Sequence, residues 1–202
     1  MFSNIRNIII IFSLLLICSV AAKAAPLIPD VYISAGYNMG SSEIKYYNND
    51  TNTSKDTFSD STHNYQFAIG IRPLDMPIVG GFRFEATYDV PTSSKIEDTD
   101  IGLILFYDFR IFPIITPYIG VGYHFDDYNF SNIAGLSSDA TTNNHSYSLH
   151  VGADFAIPTT SLSVFAEYEF QQTHTRATVD DVSKYGINNQ SLTIGLKYLI
   201  IS

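Results

Sequence analysis

A small group of serine, histidine and aspartate side chains carries the residue types that could support hydrolysis. They are Ser146, Ser148 and His150 in one segment, and His124 and Asp126 in the segment before it. A serine nucleophile needs a base within hydrogen-bond reach and an acid that orients the base. All three types are present here, so hydrolysis is the first chemistry to weigh.

The same region offers ligands for a transition metal. They are His124, Asp126, His150 and Asp154. Imidazole nitrogens and carboxylate oxygens are suitable for such ions. The sequence contains no CxxC, no HExxH and no glycine-rich phosphate loop. What these residues do must therefore be judged from the elements that position them.

Those elements are eight short segments in which apolar and polar residues alternate, which is typical of β-strands. The clearest segment places one set of side chains on its apolar face: Phe82, Phe84, Ala86, Tyr88 and Val90. Its other face carries Arg83, Glu85, Thr87 and Asp89. Successive side chains of a strand point to opposite faces, so each strand has one apolar and one polar face. The other segments lie near 31–38, 64–72, 101–110, 119–126, 146–155, 162–171 and 191–200.

The links between the segments alternate in length. Long polar links are expected at 39–63, 91–99, 128–144 and 174–188, and short ones at 73–79, 112–116 and 157–161. Prolines 73, 77, 113 and 158 fall in the short links, where we expect them to end strands. Long loops at one end and tight turns at the other are typical of outer-membrane barrels. The sequence predicts an all-β fold, an eight-stranded antiparallel up-and-down transmembrane β-barrel; a soluble β-barrel is the alternative.

Tyrosines near the strand ends support the membrane form. They are Tyr37, Tyr65, Tyr88, Tyr123 and Tyr147, all on the apolar faces. Aromatic side chains of this kind form girdles at the level of the lipid headgroups. The barrel would then contact outer-membrane lipids directly.

The first residues have the pattern of a secretory signal. Arg6 precedes an apolar run from Ile8 to Val20, and Ala22-Lys23-Ala24 offers a small-x-small cleavage site. We expect residues 1–24 to be a cleaved signal peptide and 25–202 to be the barrel domain. Cleavage would remove the only cysteine, Cys18, and leave 9 basic against 20 acidic residues. This acidic balance argues against nucleic acid as a partner.

With eight segments in place, the chain resembles the small OmpA-like and opacity-protein-like barrels of bacterial surface antigens. The most motif-like part is the last strand, with Thr193, Gly195, Tyr198 and Ile200 in a polar-x-Gly-x-x-hydrophobic-x-hydrophobic pattern. The resemblance implies that this strand is an assembly signal read by the barrel-assembly machinery. The chain departs from the family by ending Ile200-Ile201-Ser202 rather than on an aromatic residue.

The inward faces are rich in charge. A lumen ion-pair network is expected from Arg72, Arg83, Glu85, Asp108, Arg110, Asp154, Glu167, Glu169 and Lys197. Eight strands enclose a lumen about wide enough for side chains to fill, and buried charges must pair or be hydrated. His124 and His150 would share this interior, hidden from lipid. We therefore predict no enzyme, no metal and no cofactor, with a narrow porin-like channel as the alternative to a filled lumen.

The loops remain as the place where specific function resides. The candidate contacts are the aromatic residues Tyr46, Tyr47, Tyr128 and Phe130. We predict a surface protein of the bacterial outer membrane with extracellular loops and periplasmic termini. The loops would recognise host or environmental surface molecules, and the barrel would contribute to membrane integrity. A purely structural barrel without a ligand is a further alternative.

Overall fold

The computed structural model describes residues 29–48, 54–76, 80–92, 96–110, 112, 114–130, 140–173, 177–180 and 183–201. These residues form nine strands: β1 (Asp30–Asn48), β2 (Ser54–Met76), β3 (Gly80–Pro91), β4 (Ile96–Asp108), β5 (Ile115–Phe130), β6 (Ala140–Ala156), β7 (Leu162–Thr173), β8 (Ala177–Asp180) and β9 (Ser183–Ile201). A helix with the length and hydropathy of a membrane span is absent from this part of the chain. The expected signal at 1–24 lies outside the described residues.

Strands β1 to β7 and β9 form a closed barrel. Each pairs antiparallel with its neighbours in chain order, β7 pairs with β9, and the β1–β9 ladder closes the ring. The four-residue β8 pairs with β9 alone among the described strands. Closure gives the backbone N–H and C=O groups partners within the ring, which lipid requires. The predicted eight-stranded antiparallel barrel is confirmed.

The outer surface of the barrel is an apolar belt. Val121, Leu149 and Leu196 expose 58%, 53% and 54% of their surface, and they lie in three different strands. Large apolar side chains exposed all round a protein indicate an apolar solvent rather than water. The belt therefore favours the membrane barrel over the soluble one.

Tyrosines bound this belt at one end, as predicted. Tyr37 faces Tyr65 across β1–β2 with ring centroids 5.5 Å apart, and Tyr123 faces Tyr147 across β5–β6 at 5.4 Å. We call this the tyrosine end of the barrel. The opposite end, which holds Asp30 and Ile201, is the turn end.

The strands run further than the sequence predicts. The expected long link at 39–63 is instead a ladder that continues from Tyr37↔Tyr65 to Tyr47↔Ser54. The link at 128–144 shrinks in the same way, because β5 and β6 stay paired as far as Phe130↔Ala140. The sequence pattern predicts a strand end where the apolar face ends. Backbone pairing does not need that face once the strand has left lipid.

Proline 73 does not end its strand, contrary to the prediction. Strand β2 passes through it to Met76, and the ladder to β3 shifts register between Ile71 and Leu74. A proline lacks the N–H that a ladder uses, and a bulge leaves one residue unpaired. At 157–161 the predicted short link is confirmed, since β6 ends at Ala156 and β7 begins at Leu162.

Candidate functional site

The lumen near the turn end is organised around Arg83. Its guanidinium donates to Asp108 Oδ1 at 3.1 Å, to Glu85 Oε2 at 2.9 Å and to the Tyr32 hydroxyl at 3.0 Å. Tyr32 in turn donates to Glu85. Arg83 is 1% exposed, so its charge is balanced by protein groups rather than by water.

Two further cations share this end of the lumen. Arg72 donates to Asp108 Oδ2 at 2.7 Å and to Asp30 Oδ2 at 3.0 Å. Lys197 donates to both oxygens of Asp154, at 2.8 and 2.9 Å. Of the residues expected in the network, Arg110 lies just after β4 and is half-buried. The charged layer at the turn end is formed by Arg72, Arg83, Glu85, Asp108, Asp154 and Lys197. Glu167 and Glu169 lie instead beside the histidines of the lumen.

Inward aromatic side chains complete this layer, and the sequence analysis missed them. They are Tyr32, Phe106, Tyr118 and Phe165, all nearly or fully buried. The Arg83 guanidinium lies 4.0 Å from the Phe106 ring centroid and 4.6 Å from that of Tyr118. Such cation–π contacts stabilise buried charge. The sequence does contain a signal for them. Each lies an even number of positions from a charged inward residue of its strand, so the alternation alone places its side chain in the lumen.

Halfway along the lumen, two histidines meet one serine. Ser148 Oγ lies 2.6 Å from His124 Nε2 and 2.6 Å from His150 Nε2. Asp100 Oδ2 lies 2.5 Å from His124 Nδ1, and Glu167 contacts His150 Nδ1 at 2.9 Å. The contacts match those of a serine, a base and an orienting acid. The serine nevertheless faces the barrel interior and is 6% exposed, so a lipid or peptide has no direct approach to it.

The residues first considered for chemistry do not all meet. Asp126 instead accepts from Gln171 at 2.7 Å, and Gln171 also donates to Ser146. Asp154 belongs to the Lys197 pair near the turn end. The metal set of His124, Asp126, His150 and Asp154 is therefore not assembled. Asp100, the partner of His124, was missed by the sequence reasoning, and Glu167 was expected in the lumen network but not as the partner of His150. Both share the inward parity of their strands with the histidines.

Acidic side chains crowd the lumen towards the tyrosine end. Asp89, Asp98 and Asp100 line a cavity of about 20 Å³, which is room for roughly one water. Asn189 also lines the cavity and donates to Asp98 at 3.3 Å. The same amide lies 3.2 Å from the hydroxyl of Tyr128.

Tyr128 therefore corrects one prediction. The sequence predicts it as a loop contact, but Tyr128 belongs to strand β5 and its side chain is fully buried in the barrel lumen. Its parity decides this, since it follows Asp126 by two positions and points the same way. Tyr46 and Tyr47 also belong to a strand, β1, and Phe130 ends β5. Their side chains lie outside what the structure describes.

The expected assembly motif lies in the strand that closes the barrel. Tyr198 and Ile200 face outward and are about half exposed, whereas Thr193 points inward and is 1% exposed. Gly195 pairs with Gly36 of β1, and a Cβ at Gly195 would lie 2.3 Å from the carbonyl oxygen of Ala35. The glycine thus permits a close approach of the two strands at the closing seam.

The barrel is similar to solved structures of outer-membrane proteins, and its sequence matches one family model. Neisserial surface protein A is similar in structure with a TM-score of 0.54 and 16% identity, over 83% of this chain and 96% of that chain. Outer membrane protein AlkL gives a TM-score of 0.56 and 16% identity, over 90% of this chain and 95% of that one. No curated protein matches the sequence. The family model for the outer membrane protein beta-barrel domain matches residues 10–199, and the chain belongs to this family.

Proposed function

We propose that this outer-membrane barrel is a non-enzymatic anchor for a sheet that projects from the cell and recognises surface molecules. In this orientation the turn end and both termini lie in the periplasm, as is usual for barrels with short periplasmic turns. The loops and the projecting strands are extracellular. The single observation that carries the proposal is the continuation of the strands beyond the tyrosine girdle.

The projection is large. From Tyr37 to Tyr47, strand β1 extends ten residues past the girdle and stays paired with β2. At roughly 3.3 Å per residue this is about 30 Å of sheet beyond the lipid. Strand β9 pairs with β1 over the same length, as far as Asn48↔Ser183. A three-stranded sheet of this size exceeds what membrane anchoring needs and offers a surface for a partner.

Removal of the outer part of the β1–β2 hairpin should weaken binding. Residues 44–58 are replaced by Asn-Gly, which joins Glu43 to its cross-strand partner Ser59. Intact cells displaying the protein are then tested for saturable binding to host cells and matrix proteins. We expect the wild type to bind and the shortened variant to bind at least about 10-fold less, since hot-spot contacts of about 1.4 kcal/mol or more are lost.

A matched change at the other end of the barrel is the control. Replacement of residues 158–161 by Asn-Gly shortens a turn that we place in the periplasm, and it should leave binding unchanged. Heat-modified mobility on gels shows that each variant is folded. Saturable binding that survives the loss of residues 44–58, or a wild type that binds none of these surfaces, would contradict the proposal.

The alternative function is a narrow channel, and measurements of conductance test it. Arg83, Tyr32, Tyr118 and Phe106 are each no more than 1% exposed and lie together in the barrel interior. We therefore expect the purified wild type to show no stable single-channel steps in planar bilayers. Regular ohmic steps from the folded protein would support the channel instead.

A further inference from the structure

The two lumen histidines form the most unusual polar group of the barrel. His124 comes from β5 and His150 from β6, and their rings stack with centroids 6.0 Å apart and planes 20° from parallel. Their exposures are 2% and 0%. Neither ring can satisfy its nitrogens from bulk water, so every nitrogen needs a partner within the lumen.

A carboxylate holds the Nδ1 side of each ring. His124 Nδ1 lies 2.5 Å from Asp100 Oδ2, and His150 Nδ1 lies 2.9 Å from Glu167 Oε1. A carboxylate can only accept, so each Nδ1 carries the hydrogen. In the neutral tautomers, both Nε2 atoms keep a lone pair. This carboxylate–histidine arrangement orients metal-binding histidines in many proteins.

Both lone pairs converge on one point. Ser148 Oγ lies between them, 2.6 Å from each Nε2, but its single hydrogen can serve only one of them. Glu169 Oε1 comes from a third strand, β7, to 3.5 Å from His124 Nε2 and 3.8 Å from His150 Nε2. This carboxylate oxygen is buried and accepts no hydrogen bond from the described residues.

We propose that this cluster binds one divalent transition-metal ion of the zinc class. The ligands are His124 Nε2, His150 Nε2 and Glu169 Oε1, which all lie within 4.8 Å of one another. Ser148 Oγ, at 2.6 Å from each Nε2, is too close to both to be a further ligand of a tetrahedral ion, so its side chain rotates away and a water takes the fourth position. Two imidazoles with one carboxylate suit Zn²⁺, whereas Ca²⁺ and Mg²⁺ take oxygen ligands.

The spacing is close to that of a tetrahedral site. Bonds of about 2.0–2.2 Å at tetrahedral angles place ligand atoms roughly 3.3 Å apart. The distances from Glu169 Oε1 to the two Nε2 atoms exceed this by only a few tenths of an ångström. Glu169 therefore needs only a small movement, while the Ser148 side chain must rotate away from the two imidazoles. These are side-chain changes, and the backbone ladders of β5, β6 and β7 can stay as they are.

Metal binding would tie three neighbouring strands together across the lumen. It would also compensate the acidic excess at this level, where Asp100, Glu167 and Glu169 surround two imidazoles. Because the ion binds the folded barrel and not the unfolded chain, its binding free energy adds to stability. The site is distinct from the projecting sheet, so it stands or falls independently of the proposed recognition function.

The test uses the refolded full-length barrel after treatment with EDTA. Co²⁺ is titrated into it, with absorption in the visible region reporting tetrahedral coordination, and Zn²⁺ is then added as competitor. We expect one Co²⁺ per chain, an intense tetrahedral spectrum that Zn²⁺ abolishes, and a rise in the unfolding temperature with Zn²⁺. A folded wild type without tetrahedral Co²⁺ absorption would overturn the proposal and leave the histidines as an ion-pair cluster.

Variants assign the ligands. Glu169→Gln and His150→Gln should each weaken Co²⁺ binding by at least about 10-fold, and Glu167→Gln, which alters only the support of His150, should weaken it by about 10- to 100-fold. His145→Gln is the matched control, because His145 lies on β6 with its side chain facing outward. Loss of the spectrum in His145→Gln, with retention in His150→Gln, would assign the metal to the outer surface and overturn the proposal.

Discussion

Replacement of Arg83 by methionine is expected to lower the free energy of unfolding by about 3–5 kcal/mol. The reason is the loss of one partner from a buried set of charges. Arg83 donates to both Asp108 and Glu85 and stacks on the Phe106 ring. Without it, Glu85 keeps the Tyr32 hydroxyl as its hydrogen-bond partner among the described residues, and its buried charge has no cation of that part of the chain in contact. The change is measured by equilibrium unfolding in urea of the barrel refolded in lipid vesicles.

Lys45→Met is the control for removal of a cation. Lys45 pairs with Glu43 at 3.5 Å, and both side chains are more than a third exposed. Exposed pairs of this kind contribute at most about 1 kcal/mol, so this variant should stay close to the wild type. Addition of Glu85→Gln to Arg83→Met should recover part of the lost stability, because it removes the uncompensated charge. Equal stability of Arg83→Met and Lys45→Met would show that water hydrates the lumen charges.

The side of each strand that faces lipid was predictable, because the period of two is a local property. Phe82 and Tyr88 lie outward and Arg83 and Glu85 inward, as their alternation predicts. Within a closed barrel, parity along each strand is enough to assign every side chain to lipid or lumen. The same rule would have placed Tyr128 inside, had its strand been extended by two residues.

The strand ends and the contacts between lumen side chains could not be predicted from the sequence, and the reason is physical. The ladder from Tyr37 to Tyr47 is held by backbone hydrogen bonds, which leave no apolar pattern in the side chains outside lipid. The meeting of His124, Ser148 and Glu169 depends on the register between β5, β6 and β7. Register is a property of strand pairs, so a single chain without structure shows the parity of these residues but not their height in the lumen.

Arginine at position 121 is expected to destabilise the barrel by about 2–4 kcal/mol relative to alanine at the same position. Val121 is 58% exposed and lies between Leu105 and Leu149 on the neighbouring strands, in the middle of the apolar belt. A guanidinium there must enter hydrocarbon or draw water to it. Val121→Ala is the reference, because it loses the packing of the valine side chain without adding a charge. Ser161→Arg is the control for added charge, since Ser161 is exposed in the turn between β6 and β7 and its replacement should change stability by less than about 0.5 kcal/mol. Urea unfolding in lipid vesicles measures all three variants. Were Val121→Arg as stable as Val121→Ala, this face would be in contact with water, and the membrane assignment of the belt would be wrong.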